Sequence, residues 1–180
     1  MLRTRPRAAP GARSPAASSP REAALKLLDR QRRTRSDLAR RLREKGHDPA
    51  QIEPTLDRLA EVGLIDDVEF ARAFIAGRWG RRAAGWRRIE QELRAKGVSA
   101  DHIEAARELF VAEQGGAEET AAAEIAGALR VVQQAERRYA ALDPRTRRQR
   151  LTALLLRRGF SYETIEQALR GATPRPTEAP

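Results

Sequence analysis

Residues 42–52 read Leu-Arg-Glu-Lys-Gly-His-Asp-Pro-Ala-Gln-Ile, which predicts the end of one helix, a tight corner and the start of a second helix. The chain repeats this pattern at residues 93–103 (Leu-Arg-Ala-Lys-Gly-Val-Ser-Ala-Asp-His-Ile) and at residues 155–165 (Leu-Leu-Arg-Arg-Gly-Phe-Ser-Tyr-Glu-Thr-Ile). One such corner would be ordinary helix punctuation. Three corners with matching flanks indicate an internal repeat.

Each corner has a glycine where the first helix should end, preceded by a lysine or an arginine. A helix C-terminus often requires a positive φ, which glycine adopts without the steric penalty of a Cβ atom, and the cation faces the negative end of the helix dipole. Two residues later, a serine or aspartate side chain can accept hydrogen bonds from free backbone N–H groups of the next helix. The predicted corner glycines are Gly46, Gly97 and Gly159, and the predicted N-caps are Asp48, Ser99 and Ser161.

Apolar residues at helical spacing surround every corner and predict an all-α protein. Nine helices can be placed in the chain, and they fall into three groups of three with the corner between the second and third helices. The sequence therefore predicts an elongated array of three tandem three-helix repeats. The predicted segments are a disordered basic Pro/Ala/Arg tail at 1–18, repeats at 19–63, 64–116 and 117–172, and a disordered tail at 173–180.

The seventh predicted helix, at about residues 118–141, is the longest. Its small and apolar residues alternate spacings of four and three, which is typical of a narrow, heptad-like packing seam. The seam consists of Ala121, Ile125, Ala128, Val132, Ala135 and Tyr139.

The composition excludes several classes of protein. The 180 residues are 41% hydrophobic but only 4% aromatic, so we expect cores of leucine, isoleucine, valine and alanine. The chain has no cysteine, which excludes disulfides and thiolate metal sites and agrees with the cytosol. No apolar run has the length of a signal peptide or a membrane span. We therefore expect a cytoplasmic protein with no membrane partner.

Catalytic chemistry has few candidate residues in this sequence. The two histidines, His47 and His102, lie at equivalent corners, where helix-terminus packing or capping explains them better than catalysis. There is no His-x-x-x-His pair and no glycine-rich phosphate loop at a recognised spacing. We predict no enzymatic activity, no catalytic residue, no cofactor, no metal ion and no small-molecule substrate.

The formal net charge of +10 arises from 35 basic and 25 acidic residues. Such a charge favours a polyanionic partner such as nucleic acid, but by itself it fits a solvated arginine-rich surface equally well. The charge is also segregated along the chain, which favours a functional polarity. Nine cations oppose three acids at residues 26–45, seven acids oppose one cation at 101–124, and eight arginines oppose one acid at 137–158.

Three motifs resemble a known family when they are taken in order. Residues 63–67 read Gly-Leu-Ile-Asp-Asp and are followed by Phe70-Ala71, and the segments 89–97 and 155–165 carry the two later corners. This arrangement resembles the RecX family of bacterial regulators of the RecA recombinase, over about residues 19–171. The basic N-terminal tail and the alanine-rich segment near residues 117–128 are not part of the resemblance.

The resemblance implies an array of three-helix repeats that lies in the groove of the RecA–DNA filament. There the protein would block filament extension or promote disassembly, and so inhibit RecA ATPase activity, strand exchange, recombination and the SOS response. The implied partners are RecA, the RecA–DNA filament and single-stranded DNA, with double-stranded DNA as a further candidate. We expect a monomer, and no catalysis is implied.

Arginines in the basic thirds and around the fifth helix are the candidate contacts to nucleic acid or to the filament, since the resemblance supplies no sharp motif for binding. Trp86 lies on the apolar stripe of the fifth helix, and Trp79 lies at the end of the fourth. Packing explains both better than base stacking does. The candidate contacts are Arg32, Arg33, Arg35, Arg40, Arg43, Arg81, Arg82, Arg87, Arg88, Arg145, Arg147, Arg148 and Arg150.

The alternative is a helical DNA-binding protein or transcription regulator that acts on duplex DNA, with the helix after each corner entering the groove. These helices are poor in arginine: residues 49–62 contain only Arg58, and residues 100–114 contain only Arg107. Such a helix would have few groups to contact phosphates or base edges.

Overall fold

The computed structural model describes residues 18–79 and 84–172, and within these ranges all regular secondary structure is helical. The all-α prediction is confirmed. The tails predicted to be disordered lie outside the described residues, apart from Ser18. The helices are α1 (Pro20–Arg30), α2 (Arg35–Glu44), α3 (Pro49–Glu61), α4 (Asp67–Arg78), α5 (Trp86–Ala95), α6 (Ala100–Glu113), α7 (Ala117–Tyr139), α8 (Pro144–Arg157) and α9 (Tyr162–Ala172).

Three separate hydrophobic cores divide these helices into triples. We call α1–α3 repeat 1, α4–α6 repeat 2 and α7–α9 repeat 3; each repeat has a core of its own. Leu42, Leu93 and Leu155, the first leucines of the three corners, are each 0% exposed. Burial of one such side chain contributes about 1.5–3 kcal/mol to folding. Because helices pack mainly within a repeat, with α6 against α7 between repeats, the protein is an array of small cores.

The three corners have the predicted geometry. Gly46, Gly97 and Gly159 have φ values of 80°, 79° and 86°, which an L-residue adopts only with strain. The predicted N-caps also accept hydrogen bonds from backbone N–H groups of the next turn. Asp48 accepts from Ala50 at 3.0 Å, Ser99 from His102 at 3.2 Å and Ser161 from Thr164 at 3.1 Å.

The predicted seam of α7 is buried most deeply in the middle of the helix, and of its six residues Ala121 alone is exposed. Ala128 and Val132 are buried against α8 and α9, and Ile125, Ala135 and Tyr139 are half-buried. A stripe is buried only where another helix faces it, and the first half of α7 lies where repeats 2 and 3 meet. There its Glu124 contacts polar groups of both repeats.

Repeat 1 meets repeat 2 through the first turn of α2. The Thr34 hydroxyl donates to the Lys96 carbonyl at the repeat 2 corner (2.8 Å), and the backbone N–H of Arg35 donates to Asp67 Oδ1 on α4 (2.9 Å). Ser36 packs so closely on Gly97 that a Cβ atom at Gly97 would collide with the Ser36 side chain. The N-terminus of α2 in repeat 1 therefore docks on the corner of repeat 2.

Repeat 2 meets repeat 3 by the same arrangement. The backbone N–H groups of Gly85 and Arg87, at the start of α5, donate to the corner carbonyls of Arg158 (2.9 Å) and Gly159 (3.2 Å). Glu124 Oε1, on α7, accepts from the N–H of Trp86 at 2.9 Å, as Asp67 does from Arg35. Each junction thus uses one carboxylate from the next repeat to cap the second helix of the preceding repeat.

The array ends differently at repeat 3, because α8 has an additional N-terminal turn. It contains 14 residues, against 10 in α2 and 10 in α5. The position twelve residues before the corner glycine, occupied by Thr34 and Gly85 in the other repeats, is Arg147. Its Nη2 group donates to the carbonyls of Ala140 (2.7 Å) and Leu142 (3.2 Å). The start of α8 therefore differs in length and contacts from the helix starts that dock on the next corner in repeats 1 and 2.

Candidate nucleic-acid and filament interface

The candidate arginines of repeat 1 are held in ion pairs. Every one of the five has a carboxylate oxygen within 3.2 Å of a guanidinium nitrogen. Arg32 contacts Glu69, Arg33 contacts Asp37, Arg35 contacts Glu53 and Asp57, Arg40 contacts Asp37 and Glu44, and Arg43 contacts Glu53. The high positive charge counted along this part of the sequence is therefore largely compensated in space.

Asp37 is the centre of the densest of these ion-pair networks. Its carboxylate accepts hydrogen bonds from Arg33, Arg40 and Arg41, while the Asp37 backbone N–H donates to the N-cap Thr34. Partial burial raises the pKa of Asp37, but the hydrogen bonds from the three arginines outweigh it and lower the pKa from 3.8 to about 2. The Asp37 carboxylate therefore stays charged and organises α2.

A second carboxylate joins the first two repeats. Glu69 on α4 accepts from Arg72 of its own helix and from Arg32 of repeat 1. Hydrogen bonds from Arg72 and Arg32 lower the pKa of Glu69 from 4.5 to about 2. Arg72 also contacts Glu113 at 2.8 Å, so the network continues to α6.

Repeat 3 has arginines in a very different environment. A cleft of about 510 Å³ between the end of α7 and α8 is lined by Arg138, Arg150, Arg157 and Arg158. Among residues 18–79 and 84–172, no carboxylate lies within ion-pair distance of these four guanidinium groups, and the cleft has no acidic residue in its lining. Arg150 and Arg157 lie seven residues apart on α8, which places them on one face two turns apart.

The cleft continues onto repeat 2. A neighbouring hollow of about 390 Å³ shares Arg157 and Arg158 and adds Arg78 and Arg88. Its one acidic residue, Glu92, pairs with both Arg78 (3.2 Å) and Arg88 (2.9 Å). We call the combined surface the arginine groove; it consists of Arg78, Arg88, Arg138, Arg150, Arg157 and Arg158.

The candidates outside repeat 1 fall into four groups. Arg88 and Arg148 are paired with Glu92 and Glu166, and Arg147 is bound to backbone carbonyls. Within the described part of the chain, no side-chain hydrogen bond or ion pair engages Arg87, Arg145 or Arg150. Of these three, Arg150 alone lies in the arginine groove. Arg81 and Arg82 lie outside the described residues.

Sequence reasoning did not select Arg78, Arg138, Arg157 or Arg158. A usable signal was present for Arg157 and Arg158, because residues 144–162 contain no acidic residue at all. An arginine there has no carboxylate three or four positions away along α8 to pair with. For Arg78 and Arg138 there was no comparable signal, since their places in the groove depend on how the helices meet.

The tryptophans pack within repeat 2, as predicted. Trp79 contacts Trp86 and Phe110 edge to face, with ring centroids 6.2 and 5.6 Å apart, and Arg107 lies over the Trp86 ring at 4.7 Å. In the described ranges no group of three His, Cys, Asp or Glu side chains is placed to hold a metal ion. None of the helices described there is both long and apolar enough to cross a membrane.

Comparison with known families and proteins gives a consistent result. Sequence models of the first, second and third three-helix domains of RecX match residues 21–59, 66–106 and 123–169. Each matched range lies inside one of the three predicted repeats, whose outer limits stay a prediction.

Individual relatives agree with these matches. The chain is 38% identical over 159 residues to the regulatory protein RecX of Halorhodospira halophila, covering 87% of this chain and 90% of that protein. It is 38% identical over 149 residues to that of Streptomyces coelicolor, covering 81% and 74%. Two crystal structures superpose on the protein with TM-scores of 0.74. The structure of RecX from Lactobacillus salivarius is 23% identical in sequence, and the match covers 84% of this chain and 93% of that one. The structure of a regulatory protein RecX is 27% identical, and the match covers 84% of this chain and 71% of that one. The chain therefore belongs to the RecX family of regulatory proteins.

Proposed function

We propose that the protein is a non-catalytic negative regulator of RecA that binds in the groove of the RecA–DNA filament. It blocks filament extension or promotes disassembly, and thereby inhibits RecA ATPase activity, strand exchange, recombination and the SOS response. The protein acts as a cytoplasmic monomer on RecA, on the filament and on its DNA. Membership of a family of regulatory proteins supports this assignment.

The observation that carries the proposal is the fixed head-to-tail order of the three repeats. Asp67 and Glu124 cap helices of the preceding repeat, and two corner glycines receive those helices in close contact. A filament presents the same surface at regular intervals. A chain of similar modules with defined junctions suits such a partner better than it suits a small-molecule substrate.

The charge distribution supports a role for DNA within the same complex. Arginines that contact phosphates release condensed counterions, which provides a favourable and salt-dependent contribution to binding. The acidic stretch at residues 101–124 would be repelled by DNA. We propose that it faces basic protein surface of the filament, while the basic third at residues 137–158, where most arginines lack a carboxylate partner among the described residues, makes the principal contacts to the phosphates.

The runner-up function, a regulator that inserts the helix after each corner into duplex DNA, has less support. The exposed side of α3 carries Glu53 and Asp57, which hold Arg35, and that of α6 carries Glu104 and Glu108. Carboxylates on the inserted face would repel the phosphate backbone.

The test is titration of the purified protein into RecA-dependent ATP hydrolysis on single-stranded DNA and into strand exchange. We expect progressive inhibition of both, and no ATP or DNA hydrolysis by the protein alone. Unchanged RecA activity at a several-fold molar excess over filament sites would contradict the proposal. Comparison of binding to filaments and to naked duplex at two salt concentrations separates it from the runner-up.

A further inference from the structure

We propose that the arginine groove is a binding site for the sugar-phosphate backbone of single-stranded nucleic acid, with its principal contacts on repeat 3. This inference rests on the proposed function and names the surface of the protein that holds the DNA strand. Three observations carry it: the absence of acidic partners, the arrangement of polar and apolar groups, and the continuity of the groove across a repeat junction.

The first observation is the uncompensated charge of Arg138, Arg150, Arg157 and Arg158. Within the described ranges these guanidinium groups have no carboxylate partner, although 15 ion pairs engage other side chains. Four cations around one cleft repel one another, and a bound polyanion relieves that repulsion. Guanidinium groups match phosphate oxygens in charge and can bind them in a bidentate manner.

The second observation is the apolar surface between the arginines. Ala135, Tyr139 and Leu154 line the cleft and are half-buried, while Arg138, Arg150 and Arg157 are exposed beside them. A single strand can lay unstacked bases on aromatic or apolar side chains while its phosphates contact arginines. A duplex keeps its bases stacked inside and would use the arginines alone. The cleft therefore fits a single strand better than a duplex.

The third observation is that the groove crosses from repeat 3 to repeat 2. Arg158 sits at the junction itself: its carbonyl accepts from Gly85 at the start of α5, and its side chain lines both hollows. Arg78 and Arg88 extend the positive surface beyond it, partly compensated by Glu92. A strand that leaves the repeat 3 cleft would therefore continue along cations rather than end in the cleft.

The experiment compares two double variants that remove the same charge. Arg150→Ala/Arg157→Ala alters the groove. Arg40→Ala/Arg43→Ala is the matched control, because both arginines are exposed on α2 but paired with carboxylates. Binding of a fluorescent oligo-dT and of a duplex of equal length is measured from low to moderate salt without RecA, and circular dichroism checks that each variant is folded.

For the groove variant we expect roughly tenfold or greater weakening of oligo-dT binding. We also expect a log–log salt slope that is flatter by about 1.4, since each phosphate contact on a single strand contributes about 0.7. The control should retain most of the parent's affinity and slope. Equal losses in both variants, or no loss in either, would overturn the site. A larger loss for the duplex than for oligo-dT would overturn the assignment to single strands.

A second pair of substitutions guards against a structural explanation. Arg150→Lys/Arg157→Lys keeps the charge but removes the planar fork, so we expect an intermediate affinity with nearly the parent's salt slope. Failure of this variant to restore the slope would count against phosphate contacts. Because these assays contain no RecA, they can succeed while the RecA assays fail; the groove would then stand and the proposed regulatory function would fall.

Discussion

The arginines of repeat 1 and those of repeat 3 are similar in number but differ in what surrounds them. In repeat 1, two carboxylates, Asp37 and Glu53, between them engage five arginines: Arg33, Arg35, Arg40, Arg41 and Arg43. In repeat 3, the described structure has a single side-chain ion pair, between Arg148 and Glu166. Equal counts of positive charge along a sequence therefore do not mean equal availability of that charge.

The difference separates two uses of one residue type. An arginine that already holds a carboxylate must give up that contact to bind phosphate, so its net contribution to affinity is small. An unpaired arginine exchanges only water and gains the entropy of released counterions. We infer that the arginines of repeat 1 serve mainly to organise α2 and the first junction, and that those of repeat 3 serve binding.

The largest expected effect tests the corners of the same two repeats. The sequence predicts a cost of about 1 kcal/mol for alanine at each corner glycine. The structure predicts unequal costs, because a Cβ atom at Gly159 would collide with the backbone of Arg88, whereas one at Gly46 meets no described atom. We expect Gly159→Ala to destabilise by about 3 kcal/mol, since overpacking adds to backbone strain, and Gly46→Ala by about 1 kcal/mol. Thermal melts of the two variants measure the two losses of stability. Equal melting temperatures would contradict the close contact between Gly159 and Arg88 at the junction of repeats 2 and 3.

Asp37→Asn should have the next largest effect, because it leaves the nearly buried Arg33 guanidinium without its carboxylate. We expect a loss of about 1–2 kcal/mol at neutral pH. A carboxyl group whose folded pKa is lowered stabilises the protein above its unfolded pKa, 3.8, and this contribution disappears as the pH falls to about 2. Urea unfolding of parent and variant between pH 7 and pH 3 tests the sign: the difference in stability should be constant above about pH 5 and shrink below it. A difference that grows on acidification would refute this role.

Arg147→Ala tests whether every arginine of repeat 3 is free for binding. Arg147 and Arg148 are candidate contacts in the sequence analysis, and on that basis their replacement should weaken DNA binding and leave the fold intact. The structure instead engages Arg147 with two backbone carbonyls and Arg148 with Glu166. We therefore expect Arg147→Ala to lower stability by about 1 kcal/mol and to change the salt slope of oligo-dT binding little. A flattened salt slope of oligo-dT binding with unchanged stability would instead support a contact between Arg147 and DNA, as the sequence predicts.

The smallest effect is a gain of binding in repeat 1. Glu53→Gln removes the carboxylate partner of Arg43 and one of the two partners of Arg35. If availability rather than number of cations decides binding, oligo-dT affinity should rise a few-fold and the salt slope should steepen by about 0.7. Glu61→Gln is a suitable control, because Glu61 is an exposed acid of the same helix without an ion pair in the described structure. Equal gains from both variants would indicate a net-charge effect only.

Local features of the fold were predictable and non-local ones were not. Glycine at a helix end, a serine or aspartate two residues later, and leucines four residues apart act within one or two turns, so the corners and helices follow from the sequence. The partners of Asp67 and Glu124 lie 32 and 38 residues away. No spacing rule reaches that far. The same limit explains why the free and the paired arginines could not be separated completely beforehand.

The Gly-Leu-Ile-Asp-Asp motif contains one predictable and one unpredictable contact in adjacent residues. Asp66 caps its own helix by accepting from Glu69 at 2.8 Å, which its sequence position predicts. The next residue, Asp67, is 8% exposed and caps α2 of the preceding repeat. Both aspartates occupy positions that predict ordinary capping. Asp66 caps its own helix, whereas Asp67 stabilises a repeat junction.

The additional turn of α8 gives the array two unlike ends. At repeat 1 the corner at Gly46 is open among the described residues. At repeat 3 the start of α8 carries an extra turn and the Arg147 contacts, unlike the helix starts that dock on Gly97 and Gly159. In terms of growth by duplication, a repeat added before α1 or between repeats would find a compatible surface. One added after α9 would meet a helix start whose extra turn and Arg147 contacts differ from those of α2 and α5. We infer that the fold accommodates a further repeat before α1 more readily than one after α9.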